Sequence, residues 1–195
     1  MQTNASKLMT RLMVLVGAIC LLSSILASPA VGAAYLKYDG IDGESKDTDH
    51  KDWIDILSAS QSIMHPAGSA GSSAASPAAD PTDFVVTKYI DKSTPKLALA
   101  CCNGQHSPRV IVEFTSDDQR HLTYLQIEMT NVLVTSYGLS SNSTDDPVPV
   151  DQVSLNFEKI KWTYYEYDAG GRLVAEHATS WDFKTNTSGI SISPQ

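Results

Sequence analysis

The chain has 195 residues, which suits one domain of ordinary size, and a formal net charge of −8. An acidic surface repels the phosphate backbone of nucleic acids and also anionic membrane surfaces, and no run of lysine or arginine offsets it here. The composition therefore disfavours nucleic acid and membrane as partners of the folded chain.

Residues 1–33 have the pattern of a secretory signal peptide. Lys7 and Arg11 give a positive start, and residues 12–27 form a short apolar run followed by small residues up to Ala33. We expect cleavage after Ala33 and export to the periplasm, the cell surface or the medium, with an uncleaved anchor as the alternative. Cleavage removes two bases and no acids, so the net charge of the mature chain becomes about −10.

The mature chain keeps two cysteines, Cys101 and Cys102, which are adjacent. A disulfide between neighbours closes a strained ring, and a disulfide framework or a zinc site needs spaced pairs. We therefore expect one buried thiol and one incidental neighbour.

Alternating apolar residues predict short strands at residues 34–38, 53–60 and 84–90. Residues 61–83, between the second and third strands, are mostly Ala, Ser, Gly and Pro. Such a segment buries too little apolar surface to offset the entropy of ordering, which predicts a long extended loop.

One helix is predicted, over residues 94–103. Ser93 or Thr94 can cap its free N–H groups, Pro95 suits its first turn, and Gly104 can end it in the left-handed conformation. A helix this short depends on tertiary packing rather than on its own propensity. We assign that packing to two leucines, Leu97 and Leu99.

From Arg109 onward the chain has the pattern of β structure. Two long strands move their apolar residues to the other face part-way along, one past Asn131 and one between Phe157 and Ile160. Such a switch marks a bend that lets one strand serve two sheets. A turn at residues 168–171 leads to a last strand. Its odd positions are expected to face inward: Leu173, Ala175, Trp181 and Phe183. The fold class is therefore mainly β, an antiparallel barrel or sandwich with one short lateral α-helix.

The sequence contains no nucleophile elbow, phosphate-binding loop, dinucleotide fingerprint or metalloprotease motif. The acid-rich stretch at residues 39–52 fails the EF-hand template, so we expect a solvated loop, with a weak cation site as the alternative. We expect neither catalysis nor a cofactor nor a metal site. The histidines show no metal-ligand spacing and are expected to be polar loop or strand residues: His50, His65, His106, His121 and His177.

Four segments of the mature chain carry a resemblance to a known family. They are Gly43-Glu44-Ser45 with residues 53–58, Thr-Lys-Tyr-Ile-Asp-Lys-Ser-Thr-Pro at residues 87–95, Val132-Leu133-Val134 with residues 153–157, and Ser180-Trp181-Asp182. Together they resemble the Hcp family, the ring-forming tube proteins of type VI secretion systems. The segment at 87–95 is the most specific, and the resemblance extends over residues 34–186.

The resemblance implies a tight β barrel over residues 34–187, with residues 188–195 as a C-terminal tail. It implies hexameric rings that stack into a tube, which acts as conduit and chaperone for effector proteins alongside spike and sheath components. By position, the candidate residues facing the lumen or the cargo are Ser60, Ser140, Ser141 and Asn142.

The predicted signal peptide departs from the family pattern, because family members ordinarily assemble in the cytoplasm. Two hypotheses follow. In the first, the chain is a structural subunit of a type VI-like ring or tube. In the second, it is an extracytoplasmic Hcp-fold binding or adhesive module that works outside a contractile machine.

Overall fold

The computed structural model describes residues 32–65, 78–117, 120–141 and 149–189. The predicted leader lies outside these ranges except for its last two residues, and so do the middle of the predicted loop and the end of the predicted tail. Within the described ranges, no helix is long and apolar enough to cross a lipid bilayer.

The described part of the chain contains twelve strands and one helix, and every strand pair is antiparallel. The elements are β1 (Ala34–Tyr38), β2 (Ile54–Ile56), β3 (Ser58–Ser60), β4 (Ile63–Met64), β5 (Asp80–Pro81), β6 (Phe84–Tyr89), α1 (Thr94–Asn103), β7 (His106–Thr115), β8 (Thr123–Ser140), β9 (Val150–Asn156), β10 (Lys159–Tyr167), β11 (Leu173–Asp182) and β12 (Thr187–Gly189). The predicted mainly antiparallel fold with one short helix is confirmed.

The main sheet runs in the order β12-β11-β10-β8-β7-β1-β2, and a branch from β8 continues through β9 and β6 to β3. Strands β4 and β5 form a separate ribbon at the base of the predicted loop. The hydrogen-bonded sheet is not closed in the described residues, since Leu57 alone joins β2 to β3 and the two do not pair with each other. The single strand predicted at residues 53–60 is therefore two strands.

Strand β8 belongs to both parts of the sheet. Its residues 125–130 pair with β10, and its residues 133–140 pair with β9. Asn131 has a positive φ of 55°, and the register against β9 shifts between Val134 and Ser136. The predicted bend past Asn131 is confirmed.

The second predicted face switch has a different cause. The chain breaks between β9 and β10 at Phe157 and Glu158, so the switch separates two strands instead of bending one. The Phe157 ring packs edge-on against Phe183, with ring centroids 5.8 Å apart. The predicted long strand over residues 153–164 is therefore two strands, which pair with different halves of β8.

Apolar side chains from both parts of the sheet meet in one core and exclude water from a common interior. Its most deeply buried members include Leu36, Ile54, Phe84, Val86, Val110, Val112, Met129, Val132, Val134, Val153, Leu155 and Ile160.

Helix α1 closes this core with one face. Leu97 is 2% exposed, whereas Leu99 is 60% exposed, so the assignment of Leu99 to the packed face is wrong. Residues two apart on a helix point in nearly opposite directions, and Leu97 shares its face with Ala100 and Cys101. Gly104 ends the helix with a left-handed φ of 64°, as expected.

The turn at residues 168–171 is observed, and Gly171 donates its N–H to the Asp168 carbonyl at 2.9 Å. Trp181 and Phe183 pack partly against the core, but Leu173 is 50% exposed. Leu173 was expected inside, and that expectation is wrong, because the β10–β11 hairpin extends beyond the strands that cover the core.

Candidate functional site

Strands β3, β6, β9 and the second half of β8 (residues 132–140) present a continuous surface on the side away from the core. The register sets Ser60 beside Val85, Val85 beside Ser154, and Ser154 beside Ser136. Because successive residues of a strand alternate sides, every second residue of these strands belongs to this surface. They are Ser58, Ser60, Val85, Thr87, Tyr89, Leu133, Ser136, Gly138, Ser140, Val150, Gln152, Ser154 and Asn156, and we call them the neutral face. None carries a charge, and most are small and polar. At the edge of this surface the Asp83 carboxylate accepts hydrogen bonds from Thr135 and Asn156.

Two of the predicted lumen residues, Ser60 and Ser140, are exposed on the neutral face. They are not in contact. The cross-strand row that starts at Ser60 on β3 reaches β8 at Ser136, and Ser136 lies about 13 Å along that strand from Ser140. Ser141 is exposed just past the end of β8. Asn142 lies outside the described residues.

On the core side of the same strands, charge is buried rather than absent. Lys88 on β6 and Asp151 on β9 are register partners, and both side chains are almost fully buried. The Lys88 ammonium lies 3.0 Å from Asp151 Oδ2 and 2.7 Å from Asp91 Oδ1. It also donates to Thr94 Oγ1 at 3.1 Å. Burying an ammonium costs several kcal/mol unless it is paired, and this one is paired twice.

Further partners complete the Lys88 network. Tyr137 donates its hydroxyl to Asp151 Oδ1 at 2.9 Å, and burial, with this hydrogen bond and the aspartate charge, raises the pKa of Tyr137 to about 12. Asp91 accepts from the backbone N–H of Ser93 at 2.9 Å and from the Ser93 hydroxyl. The network therefore ties α1, β6, β8 and β9 together.

The network explains most of the segment at residues 87–95 in physical terms. Ser93 occupies the N-cap position but makes no capping hydrogen bond, because its hydroxyl is donated to Asp91. Thr94 accepts from the Asp91 N–H and donates to Asp151. The predicted capping by either hydroxyl is therefore wrong. Strand alternation through Phe84, Val86 and Lys88 was the sequence signal for an inward-facing lysine, and sequence reasoning missed it.

A second buried network lies on the opposite side of the sheet, over the first half of β8 (residues 123–130). His50 is 2% exposed and its ring stacks on Tyr35 at 4.1 Å between centroids. Its Nδ1 lies 2.7 Å from Asp47 Oδ1 and its Nε2 lies 2.8 Å from Glu113 Oε2. His50 lies in a loop, as expected, but it is buried and each of its ring nitrogens has a partly buried carboxylate partner.

The loop at residues 41–53 holds this network in place. Burial raises the pKa of Asp47, but hydrogen bonds from His50 and from the Asp49 N–H outweigh it and leave the pKa below its usual value. Gly43 donates its N–H to Asp52 at 2.8 Å, and a Cβ at Gly43 would lie 2.3 Å from the Trp53 carbonyl oxygen. Only glycine lets the loop lie this close to the chain leading into β2.

The acid-rich stretch is thus an ordered loop over the sheet, and its acidic residues other than Asp47 are exposed to solvent, as expected. Glu113 also accepts from Thr123 Oγ1 at 3.1 Å and from Gln126 Nε2 at 2.6 Å, which ties the loop to β7 and β8. In the described ranges, no group of three or more His, Cys, Asp or Glu side chains is arranged to hold a metal ion.

Apolar side chains and strand edges are left open at the surface. Strands β2, β3 and β12 each pair with one described neighbour only. The large exposed apolar side chains include Leu57, Ile63, Met64, Tyr89, Ile90, Leu99 and Leu139. Together these features provide surface for contacts with other chains.

Known proteins share this architecture. A family model described as "Type VI secretion system effector, Hcp" matches residues 35–164. Protein hcp1 of Pseudomonas aeruginosa is 32% identical over 139 residues, which cover 70% of this chain and 85% of that protein.

Solved structures agree in fold. Hcp1 from Salmonella typhimurium is 29% identical with a TM-score of 0.68, over 81% of this chain and 99% of that one. A structure described as a type six secretion system protein is 25% identical with a TM-score of 0.75 over the same shares. A type VI secretion system effector from Yersinia pestis is 26% identical with a TM-score of 0.61, over 76% of this chain and 98% of that one. The chain therefore belongs to the Hcp family of type VI secretion system proteins.

Proposed function

We propose that this chain is the structural subunit of a type VI-like secretion tube. Copies assemble into hexameric rings, the rings stack, and the neutral face lines the channel. Effector proteins travel in the channel or bind to it, and spike and sheath components are the remaining partners. The subunit acts as conduit and chaperone and has no catalytic role.

The absence of charge from the neutral face is the observation that carries this proposal. The chain has a formal net charge of −8, yet the neutral face, built from parts of four strands, has no charged residue, and the Asp83 carboxylate at its edge is hydrogen-bonded to Thr135 and Asn156. A channel that passes unrelated cargo must neither repel it nor hold it tightly, and a ring of like charges would do one or the other. Small uncharged side chains such as Ser60 and Ser140 meet that requirement.

The exposed apolar groups and open strand edges support assembly. A cyclic head-to-tail interface covers the same two patches on every subunit and leaves none unpaired. The β4–β5 ribbon, with Ile63 and Met64 exposed, begins the segment that we expect to reach a neighbouring subunit or ring.

Mass photometry and negative-stain microscopy of the purified protein near micromolar concentration test ring formation. We expect a species of roughly six subunits with a central opening. A monomer at every concentration up to tens of micromolar, with no rings in micrographs, contradicts the proposal and favours an extracytoplasmic binding or adhesive module.

The leader pattern at residues 1–33 is the observation that favours that second function. The Ala33 carbonyl accepts hydrogen bonds from the Thr115 N–H at 2.9 Å and from Thr115 Oγ1 at 3.2 Å. Cleavage after Ala33 removes this acceptor from the mature chain, and a peptidase cutting there must act before the segment pairs with β7, as it does on a chain exported unfolded. Intact mass spectrometry of protein from the native host tests whether the leader is cleaved. Loss of residues 1–33 supports export, and a chain still beginning at Met1 contradicts it.

A further inference from the structure

His50 has a carboxylate at each of its two ring nitrogens. Nδ1 lies 2.7 Å from Asp47 Oδ1, and Nε2 lies 2.8 Å from Glu113 Oε2. Tyr35 stacks on one face of the ring, and Trp53 meets the ring edge-on at 4.9 Å between centroids. The residue is 2% exposed, so water does not compete for either contact.

These two contacts together need two hydrogen donors. A neutral imidazole has one N–H, so its other nitrogen would set a lone pair against a carboxylate oxygen. Both contacts are satisfied only when the ring is an imidazolium or when one carboxyl group is protonated. In either case the three side chains hold one proton more than a neutral ring and two carboxylates do.

The other donors around the two carboxylates place this proton on the ring. Asp47 Oδ1 accepts from the backbone N–H groups of Asp49 and His50, both at 3.0 Å. Glu113 accepts from two side chains of β8 as well as from His50. Hydrogen bonds donated to a carboxylate stabilise its ionised form, so both acids are ionised and His50 is the imidazolium.

The imidazolium joins the loop at residues 41–53 to the sheet. The loop supplies His50, and β7 supplies Glu113. Within the loop, Ser45 and Asp52 donate their backbone N–H groups to the opposite arm at 3.0 and 3.1 Å. Those backbone bonds hold the shape of the loop, whereas the bond from Nε2 to Glu113 fixes the loop to β7.

We propose that the loop at residues 41–53 is a pH-sensitive cover, which lies on the sheet while His50 carries its proton and is released when the ring loses it. A histidine ordinarily changes charge between pH 5 and 8. In the closed loop, loss of the proton leaves one ring nitrogen with no hydrogen for its carboxylate, whereas in the open loop water solvates all three groups. The closed loop thus binds the proton more tightly than the open loop does, so raising the pH favours opening. The inference does not depend on the proposed tube function.

The other titratable groups near this network lie on the loop and on the neighbouring strands. Burial and nearby carboxylates raise the pKa of Tyr35, and burial with the Glu113 charge raises the pKa of Tyr167, so these phenols stay neutral below pH 8. Carboxylates and lysines ordinarily titrate below about pH 5 and above about pH 9. Between pH 5.5 and 8 the histidine is therefore the group of this set whose charge changes. The set is Asp47 on the loop, Tyr35 and Lys37 on β1, Asp55 on β2, Glu113 on β7, Glu128 on β8, Tyr165 and Tyr167 on β10, and Glu176 on β11.

Hydrogen exchange of the intact protein, followed by mass spectrometry, tests this proposal. Exchange is expressed as protection relative to an unfolded peptide at the same pH, because the chemical exchange rate itself rises with pH. From pH 5.5 to 8 we expect the protection of the loop to fall, by up to about tenfold per pH unit once the ring has lost its proton. The reporting amides are those that are hydrogen-bonded within the loop: Gly43, Ser45, Asp52 and Trp53.

Three variants separate the effect of the proton from the shape of the loop. His50→Gln removes the titrating ring and should leave the loop poorly protected and without this pH dependence. His177→Gln is the matched control and should keep the pH dependence of the parent, because His177 also contacts a glutamate, Glu166 at 3.2 Å, but on the exposed surface. Glu113→Gln should act in the opposite direction to His50→Gln. Its amide can donate to the neutral ring, so the loop should remain protected at pH 8.

A purely structural role predicts that Glu113→Gln and His50→Gln lose protection alike, and that result would overturn the proposal. Constant protection of the parent from pH 5.5 to 8 would overturn it too, as would loss of the pH dependence in His177→Gln. The amides of β9 report the core and should stay protected throughout. If they lose protection together with the loop, the pH acts on global unfolding, and the loop is not a separate cover.

Discussion

The two halves of β8 differ in which side of the sheet around them carries charged residues. Behind residues 123–130 the core side is apolar, and the outer side holds Glu113 with its partners beneath the loop at 41–53. Behind residues 132–140 the arrangement is reversed, with Lys88 and Asp151 on the core side and the neutral face outside.

This difference shows what the Lys88 network provides. A buried ion pair is rarely more stable than well-packed apolar side chains of similar volume, so stability alone does not explain it. Its hydrogen bonds instead fix Thr94 of α1 and Tyr137 of β8 to Asp151 with defined geometry. The strands of the second half are thus cross-linked by polar groups, while the neutral face outside them has no charged residue.

The largest expected effect comes from breaking the inner network. Lys88→Ala leaves Asp151 buried without its ammonium partner and should lower the free energy of unfolding by about 3–5 kcal/mol. Lys92→Ala is the control: it removes an exposed pair with Asp52 at 3.3 Å and should cost less than about 1 kcal/mol. Denaturant unfolding measures both free energies of unfolding. Equal losses would mean that the buried Lys88 network contributes no more to stability than an exposed ion pair.

The next effect separates the two leucines of α1. Leu97→Ala removes a buried side chain over the core and should cost about 2–4 kcal/mol. Leu99→Ala alters an exposed side chain and should change stability by less than about 0.5 kcal/mol. Thermal melts of the pair check this, and a large loss for Leu99→Ala in the isolated subunit would contradict the position of the helix.

A smaller effect depends on pH. The pKa of Tyr137 is raised to about 12 from 10.0, so its contribution to stability is present below pH 10 and is lost as the pH rises towards 12. Tyr137→Phe should therefore show a shallower loss of stability over this range than the parent. Urea unfolding at pH 9, 10 and 11 gives the free energy of unfolding of both proteins. An equal decrease with pH in the parent and in Tyr137→Phe would show that Tyr137 is not held neutral by Asp151.

The smallest effect compares charge on the outer sides of the two halves. Ser140→Asp adds a carboxylate to the neutral face, whereas Thr130→Asp adds one beside Arg109 and Lys159. Both positions are exposed, so both variants should fold normally. Only Ser140→Asp should reduce the ring population at low salt, because like charges then surround one channel, and salt should restore it. Equal behaviour of the two variants in mass photometry would contradict a shared channel.

The strands and the bend at Asn131 could be predicted from the sequence because alternation is a local property. The packed face of α1 was assigned wrongly although the sequence contained a signal, because Lys96 and Asn103, seven residues apart, mark a polar side of the helix that includes Leu99. His50 and Lys88 were missed for another reason. Their partners Glu113 and Asp151 lie far away in the chain and become neighbours only through the register.

The candidate site was predicted in part. The family resemblance predicts that Ser60 and Ser140 face the lumen, which stays a prediction, and both lie on the neutral face. The rest of that face, including Gln152 and Ser154, emerged only once the pairing of β6, β8 and β9 was known. No periodicity in one strand reveals that four strands lack charge on the same side.

A reconstruction of the assembled protein by electron cryo-microscopy tests the central claim most directly. We expect a closed ring in which Ser60 and Ser140 of every subunit line the central opening and the loop at 41–53 lies away from it. A ring whose opening is lined by that loop, or one in which the neutral face is buried between subunits, would contradict the account.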